Sequence, residues 1–358
     1  MDLATFNLFL GGAVKAGASD LHFKPGSQPS VRISGALRPV NVPVLQPEDT
    51  LRIAEHVVRQ ARMKVSLDEV RDLDTSYALE GVGRFRASVF RQMGRMAVVL
   101  RAIPAAVPTL QQLGLPEAVA KIALSERGLI LVTGATGQGK TSTLAAMVDH
   151  INRTEARHVI TIEDPIEYVH QDQRSRITQR EVGPDTSSFR EALRAALRQD
   201  PDVILVGEMR DQETMEIALK AAETGHLVLS TTHTTDAAHT ISRIVGSFSA
   251  DAQDGVRLRL ADSLRASISQ RLLPRADGQG RVVACEVLVS TLGAQELIRQ
   301  PGRLGELADL LTKGRDVYGT QSFDQHLADL FQAGAISMDV AKEAATNPSD
   351  FERAMMFG

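Results

Sequence analysis

The sequence predicts an α/β protein in two parts: a smaller N-terminal region built on a sheet, and a larger core built on a parallel sheet that runs into a helical C-terminal region. Three observations predict it. Four apolar runs, GLILVTG, HVITIED, DVILVGE and HLVLSTTH, alternate with stretches of helical periodicity, the pattern of parallel strands joined by crossover helices. Ahead of them, GRFRASVF alternates apolar and polar residues with the period of a half-buried strand. Finally, 358 residues exceed one average domain and favour two, and 43% hydrophobic with 23% charged residues is the balance of a globular chain with an ample core.

The opening MDLATFNLFLGGAVKAGASD lacks the basic flank of a signal peptide and reads as a short amphipathic helix stopped by glycines. DLHF and SVRISGALRPV follow as extended stretches, with a glycine turn between Ile33 and Leu37 that suits a hairpin, and then a helix at about 47–62. In GRFRASVFRQMGRMAVVLRAIP, Phe85, Ala87 and Val89 share one face and Arg84, Arg86 and Ser88 the other. The chain then turns at Met93 and Gly94 into a second strand that carries Arg95 and Arg101, so this sheet bears a row of arginines. IPAAVPTLQQLGLP holds three prolines in fourteen residues, which favours extended backbone and marks a connection. The resulting division is residues 1–102, a linker at 103–116, a core at 117–290 and a helical region at 291–358.

Within the core, FREALRAALRQ places Phe189, Ala192, Leu193, Ala196 and Leu197 on one helical face. Near the end, SFDQHLADLFQAGAIS, SMDVAKEAA and NPSDFERAMM each open on a residue suited to an N-cap.

Composition narrows the classes. The net charge is only −4 and no block of five or six like charges occurs, so neither a nucleic-acid tail nor a polybasic membrane anchor is advertised, and no nucleic acid is expected as a partner. No apolar stretch reaches the roughly 18 residues that would span a bilayer, and the expected location is the cytoplasm. The single cysteine, Cys285 in VVACEVLV, reads as a buried strand thiol, and one cysteine cannot build a four-cysteine zinc site.

The chemistry lies in GATGQGKT, residues 134–141, between the strand GLILVT and the helical run KTSTLAAMVDHI. It matches G-x-x-x-x-G-K-[ST] in the strand-to-helix context that the phosphate-binding loop requires. Gly134, Gly137 and Gly139, with Thr136, let backbone N–H groups point around a phosphate, and the positive end of the helix, with Ser142 in its first turn, adds to them. Lys140 reaches the β- and γ-phosphates of ATP, and Thr141 offers its hydroxyl to Mg2+.

Ligands of such sheets bind at the carboxyl ends of the strands. There DVILVGE ends in Glu208, which either orients the attacking water, holds Mg2+ through a water, or caps the following helix. ITIEDPIEY crowds Glu163, Asp164 and Glu167, a combination that suits a place near Mg2+ or open solvent. STTHTT leaves His233 facing the strand tips, where it can donate to a γ-phosphate, and His226 precedes the same strand.

Together GATGQGKT, ITIEDPIEY, DPDVILVGEMRD and GHLVLSTTHT closely resemble the signature boxes of the type II/IV secretion-superfamily ATPases, in the branch of the type IV pilus retraction ATPases (PilT and PilU). GASDLHF, GRFRASVF and SFDQHLADLF extend the resemblance over nearly the whole chain. It implies a PAS-like N-terminal domain, a RecA-like ATPase core, and a homo-hexameric ring that clamps ATP and Mg2+ between the two domains. It implies further that Glu208 is the Walker B glutamate, that Glu163 belongs to an aspartate box and His226 and His233 to a histidine box, and that Arg86 and Arg101 approach the γ-phosphate, with Arg84 and Arg95 as lesser candidates. The implied work is pilus retraction, driving twitching motility through an inner-membrane platform protein at the pilus base, with a paralogous retraction ATPase as a further partner. Two departures stand out: Gln138 occupies a loop position where relatives usually carry serine or threonine, and LGAQELIRQ replaces a motif resembling AIRNLIRE, keeping Leu297, Ile298 and Arg299.

Other readings are an accessory subunit of the PilU kind, a pilus-assembly or type II secretion ATPase, and a nucleic-acid translocase. The assembly enzymes resemble longer chains with a four-cysteine motif that this chain lacks, and no N-K-x-D segment is present to read guanine.

Overall fold

The alternation in the first hundred residues resolves, in a computed structural model describing residues 1–33, 35–60, 66–104 and 106–357, into a six-stranded antiparallel sheet. Its strands are β1 (Ala18–Phe23), β2 (Ser30–Ile33), β3 (Ala36–Pro39), β4 (Asp72–Leu79), β5 (Gly83–Gln92) and β6 (Arg95–Ala102), in the order β3-β2-β1-β6-β5-β4. The face expected to be apolar is buried, with Phe85, Ala87 and Val89 fully covered. Met93 and Gly94 make the β5–β6 turn with φ of 50° and 75°, as the right-handed twist of a two-residue hairpin requires.

The helices Leu3–Lys15 and Pro47–Gln60 contribute Phe6, Leu10, Ile53 and Val57 to the same core. Within it Phe6 meets Phe23 and Tyr77 edge-on at centroid distances of 5.3 and 5.6 Å, the arrangement that aromatic quadrupoles favour. Leu3–Lys15 continues through Gly11 and Gly12 and stops only before Gly17, whose φ is +75°. A glycine ends a helix by turning left-handed, not merely by being present. Residues 61–62 of the expected second helix and Ser34 of the expected turn lie outside the described residues. Strand β4 is not among those the sequence predicts; its alternation of Leu73, Thr75, Tyr77 and Leu79 is masked by two aspartates at its start.

A second sheet of seven strands has the order β13-β12-β7-β11-β10-β8-β9. It comprises β7 (Gly128–Thr133), β8 (His158–Glu163), β9 (Arg176–Glu181), β10 (Val203–Val206), β11 (Leu227–Thr232), β12 (Leu264–Pro274) and β13 (Arg281–Val289). The four apolar runs are β7, β8, β10 and β11, and together with β12 they pair in parallel, while β13 runs antiparallel to β12. Helices cover the faces, and Phe189–Ala196 buries Ala192, Leu193 and Ala196 as its periodicity predicts. The carboxyl ends of β7, β10 and β11, followed by Gly134, Glu208 and His233, therefore meet at one edge, because parallel strands share a direction.

The chain divides into two compact units: Met1–Ala106 with Glu163–Val169 and Arg180–Ser188, and Val107–Ile162 with His170–Gln179 and Phe189–Gly358. Within the first, the buried carboxylate of Glu181 accepts from Ser76 Oγ at 2.8 Å, Arg84 Nη2 at 3.0 Å and the Ile166 N–H at 3.2 Å. Within the second, the C-terminal helices pack on β12 and β13: Phe323, Leu327, Ile336, Ala341 and Phe351 cluster with Leu273 and Ala284. Ser322 forms a capping box with Gln325, and Ser337 caps the helix Met338–Ala344. Cys285 is fully buried, burial pushes its thiol upward, and its backbone is bound by His326 and Gln321. LGAQELIRQ forms the helix Leu292–Arg299, in which Leu297 and Ile298 are core residues and Arg299 pairs with Asp262. No helix among the described residues is long and apolar enough to cross a membrane.

On β13, Glu286 points inward and accepts the Ala237 N–H at 2.8 Å, holding the start of the helix Ala237–Gly246. Burial, reinforced by Asp236 and opposed by Ala237, Arg271 and Ser269, pushes its carboxyl up to about 7 from 4.5. A raised carboxylate pKa means that the folded state holds the proton more tightly, so its stabilisation is complete below about pH 4.5 and lost as pH rises through about 7. Urea denaturation at pH 5 and pH 8 is expected to show the parent losing on the order of 2 kcal/mol more than Glu286→Gln over that interval. Equal losses in both proteins would remove Glu286 as the cause.

Candidate nucleotide site

Strand β7 ends at Thr133, and the chain departs from it at Gly134 with φ +142°. A Cβ on Gly134 would stand 2.5 Å from the Gln270 carbonyl oxygen, so only glycine lets the loop pass β12 this closely. Gly137 and Gly139 follow at φ of +79° and +83°, and Gly139 caps the helix Lys140–Thr154. The outer rim of the loop, with Thr136 and Gly137, is exposed, as is Thr141 in the first helical turn, while Ser142 is half-buried. Backbone donors and the positive end of the helix thus face solvent together, the arrangement that receives a phosphate.

Lys140 is the exception to that openness. Its side chain folds inward, 8% exposed, and Nζ donates to the carbonyls of Gly134 at 2.8 Å and Ala135 at 3.0 Å. Burial lowers its pKa, and the nearby Glu208 carboxylate opposes that shift. Nζ also lies 3.2 Å from His233 Nδ1, and His233 Nε2 lies 3.0 Å from Glu208 Oε1. If the ammonium donates to Nδ1, the ring carries its proton on Nε2 and donates it to the carboxylate. Arg210 Nε holds the other carboxylate oxygen at 2.8 Å. Lysine, histidine, glutamate and arginine form one polar chain across the tips of β7, β11 and β10.

Hydroxyl groups fix this alignment. Ser230 and Thr231 donate to the carbonyls of Val206 and Gly207, both at 2.7 Å, joining β11 to the strand that ends before Glu208. Beyond them, Thr232, Thr234 and Thr240 are linked through their hydroxyls at 2.8 and 2.6 Å, which steadies the segment carrying His233. The threonines of STTHTT are therefore the scaffold of the histidine. Glu208 does not cap a helix: Asp211 caps Gln212–Glu223 by accepting from Thr214, leaving Glu208 at the strand tip.

Other sequence-predicted residues lie elsewhere. His226 sits ahead of β11, at the opposite end of the strand from His233, where Nδ1 lies 3.0 Å from the Ala221 carbonyl. It lines a cavity of about 290 Å³ with Glu126, Arg157 and Asp202, and is not brought to Lys140. Glu163 ends β8, and its carbonyl accepts from Val182. Among the described residues no three acidic, histidine or cysteine side chains gather to hold a metal by themselves, and Glu163, Asp164 and Glu167 belong to the first of the two units. Thr141 and Glu208, in the same unit as the loop, offer oxygen atoms of the kind a hard cation takes.

In the first sheet Arg86 and Arg101 are directly opposed across β5 and β6. Arg101 donates to Asp20 at 2.8 Å while remaining largely exposed. Arg84 is engaged by Glu181, and Arg95 is exposed beside the β5–β6 turn. Sequence reasoning missed Arg210, whose position two residues after Glu208 in GEMRD was the available signal. It also missed the contact of Gln138 with β12, for which separation in the chain left none.

Over residues 4–352 the chain matches the family described as Type II/IV secretion system protein. It is 43% identical over 342 residues to the type IV pilus retraction ATPase PilT of Pseudomonas aeruginosa, covering 96% of this chain and 98% of that one. The type IV pilus ATPase PilU of the same organism is 41% identical over 353 residues, covering 99% and 92%. The crystal structure of the pilus retraction motor PilT with bound ADP superimposes with a TM-score of 0.88 at 45% identity, covering 97% of this chain and 98% of that one. With its strand-tip lysine, histidine and glutamate set on this shared fold, the chain belongs to the type II/IV secretion system protein family, in the branch of the type IV pilus retraction ATPases.

Proposed function

We propose that this chain is an ATP-hydrolysing motor that powers type IV pilus retraction, and with it twitching motility, as a homo-hexameric ring acting on an inner-membrane platform protein at the pilus base. The observation that carries the reading is the convergence of Lys140, His233 and Glu208 at the carboxyl edge of the second sheet, beside a phosphate loop. In this reading the N-terminal sheet is a PAS-like domain and the core is RecA-like.

Gly134, Thr136, Gly137 and Gly139 present backbone donors to the phosphates, with Ser142 behind them in the helix. Lys140 exchanges the carbonyls of Gly134 and Ala135 for phosphate oxygens, which accept from an ammonium more strongly than neutral carbonyls do. Thr141, and Glu208 through a water, would hold Mg2+, which neutralises charge on the β- and γ-phosphates when bound. Glu208, held on both oxygens by His233 and Arg210, orients the attacking water. His233 touches both Lys140 and Glu208, so movement of the lysine toward phosphate changes the partner of the histidine. Glu163 and His226 act in the assembled enzyme, and Arg86 and Arg101 bring positive charge to the γ-phosphate. A second reading, an accessory retraction ATPase of the PilU kind that works beside a paralogous motor, is favoured by nearly equal identity to PilU, 41% against 43%.

Lys140→Ala is expected to abolish nucleotide binding measured by fluorescent ATP analogue. Glu208→Ala is expected to bind ATP but to hydrolyse it about 100-fold more slowly or worse, as for a lost general base or water-positioning group. Turnover of Glu208→Ala at the parent rate would refute its role. Arg86→Ala and Arg101→Ala should lower kcat about 1000-fold or more with little change in ATP affinity; matched losses in both would assign these arginines to ground-state binding. In cells, replacing the gene by the Glu208→Ala form and imaging labelled pili should give pili that extend and no longer shorten. Undiminished retraction would favour the accessory reading.

A further inference from the structure

The ladder between β7 and β12 ends at Thr133 and Ser269, yet β12 continues to Pro274. Past that point the edge of β12 facing the departed strand has no backbone partner among the described residues, and a buried N–H left so costs about as much as a lost hydrogen bond. Gln138 meets that need. Its Oε1 accepts from the Leu272 N–H at 2.5 Å, while its own carbonyl accepts from Gln270 Nε2 at 2.6 Å. Gln270 is 2% exposed, and its carbonyl is the group against which Gly134 fits without a Cβ. The amide of Gln270 also lies 3.3 Å from the position of a Cβ on Gly139. Strand β12 therefore grips the phosphate loop at its entry, at Gln138 and at its junction with the helix.

Between the two gripping residues, Arg271 points to the other side of the strand, as strand alternation requires. Its guanidinium lies 4.0 Å over the Phe323 ring and donates to the Ala344 carbonyl at 2.6 Å. Three consecutive residues, 270 to 272, thus join the phosphate loop to the helices Phe323–Gln332 and Met338–Ala344.

We propose that Gln138 is a positioning residue for nucleotide: its clamp on β12 sets the affinity of the phosphate loop, and through Arg271 makes that affinity depend on the packing of the C-terminal helices. The inference rests on residues 134–141 being the ATP site. Gln138 acts through the backbone and needs no contact with the nucleotide. Its length and its amide oxygen both matter, because alanine cannot reach the Leu272 N–H and methionine fills the space with only a weakly accepting thioether.

The test is calorimetric titration of the full chain with ADP and Mg2+, alongside kcat and KM for ATP. Gln138→Ala and Gln138→Met should each weaken ADP by roughly three- to tenfold and raise KM in step, with kcat within twofold, since one hydrogen bond of this kind is lost. Gln270→Ala should do the same from the strand side, and the double variant should lose less than the product of the two, because both open one clamp. Arg271→Ala should weaken ADP in the parent background and leave it unchanged in Gln138→Ala. Parent-like ADP affinity in Gln138→Met and Gln270→Ala would overturn the clamp. An equal Arg271→Ala effect in both backgrounds would overturn the link to the helices. A parent chain that fails to bind ADP would instead refute the nucleotide site itself.

Discussion

A buried ammonium cannot remain without partners, and the second unit is organised around that constraint. Lys140 is drawn in by the left-handed turn at Gly139 and by the helix that starts on it, and its charge is met by loop carbonyls on one side and by His233 and Glu208 on the other. Those partners come from different strands, so the sheet must hold β7, β11 and β10 in one direction and one register. The pairings Leu229↔Ile130 and Leu205↔Leu229 do this, and the strand hydroxyls lock it. A slip of one residue would turn His233 and Glu208 to opposite faces. Chemistry and register are therefore a single requirement.

Charge in the first unit is handled in another way. Arg84 is spent on Glu181, a carboxylate also engaged by Ser76 and by the Ile166 backbone, and this makes Arg84 part of the framework. Arg86 and Arg101, opposed on neighbouring strands, stand apart from that network, although Arg101 is tethered to Asp20. Arginines of similar appearance along one sheet thus differ in their partners: Arg84 is held by Glu181 and Arg101 by Asp20.

Much of this was legible in order along the chain, because the signals are local. The phosphate loop announces itself by glycine spacing, the parallel strands by uninterrupted apolar runs, and β5 by the alternation of Phe85, Ala87 and Val89 against arginines. The capped helices at the end follow from Ser322 and Ser337. What escaped depends on residues far apart. Glu181 is 97 positions from Arg84, and Gln138 is 134 from Leu272. No periodicity connects such pairs, and Gln138 stood out only as a departure from the serine or threonine usual at that loop position. His226 and His233, close in sequence, are separated because a six-residue strand carries the chain from one edge of the sheet to the other.

The burial of Cys285 has a practical corollary. It is the sole cysteine of the chain, its sulfur is enclosed on β13, and its thiol is held in the unreactive protonated form. A cysteine introduced on the surface would then be the single site open to maleimide chemistry, without removal of a native residue from the core. Each subunit would carry one spectroscopic label, and distances between labels in an assembly would report its symmetry against a silent background.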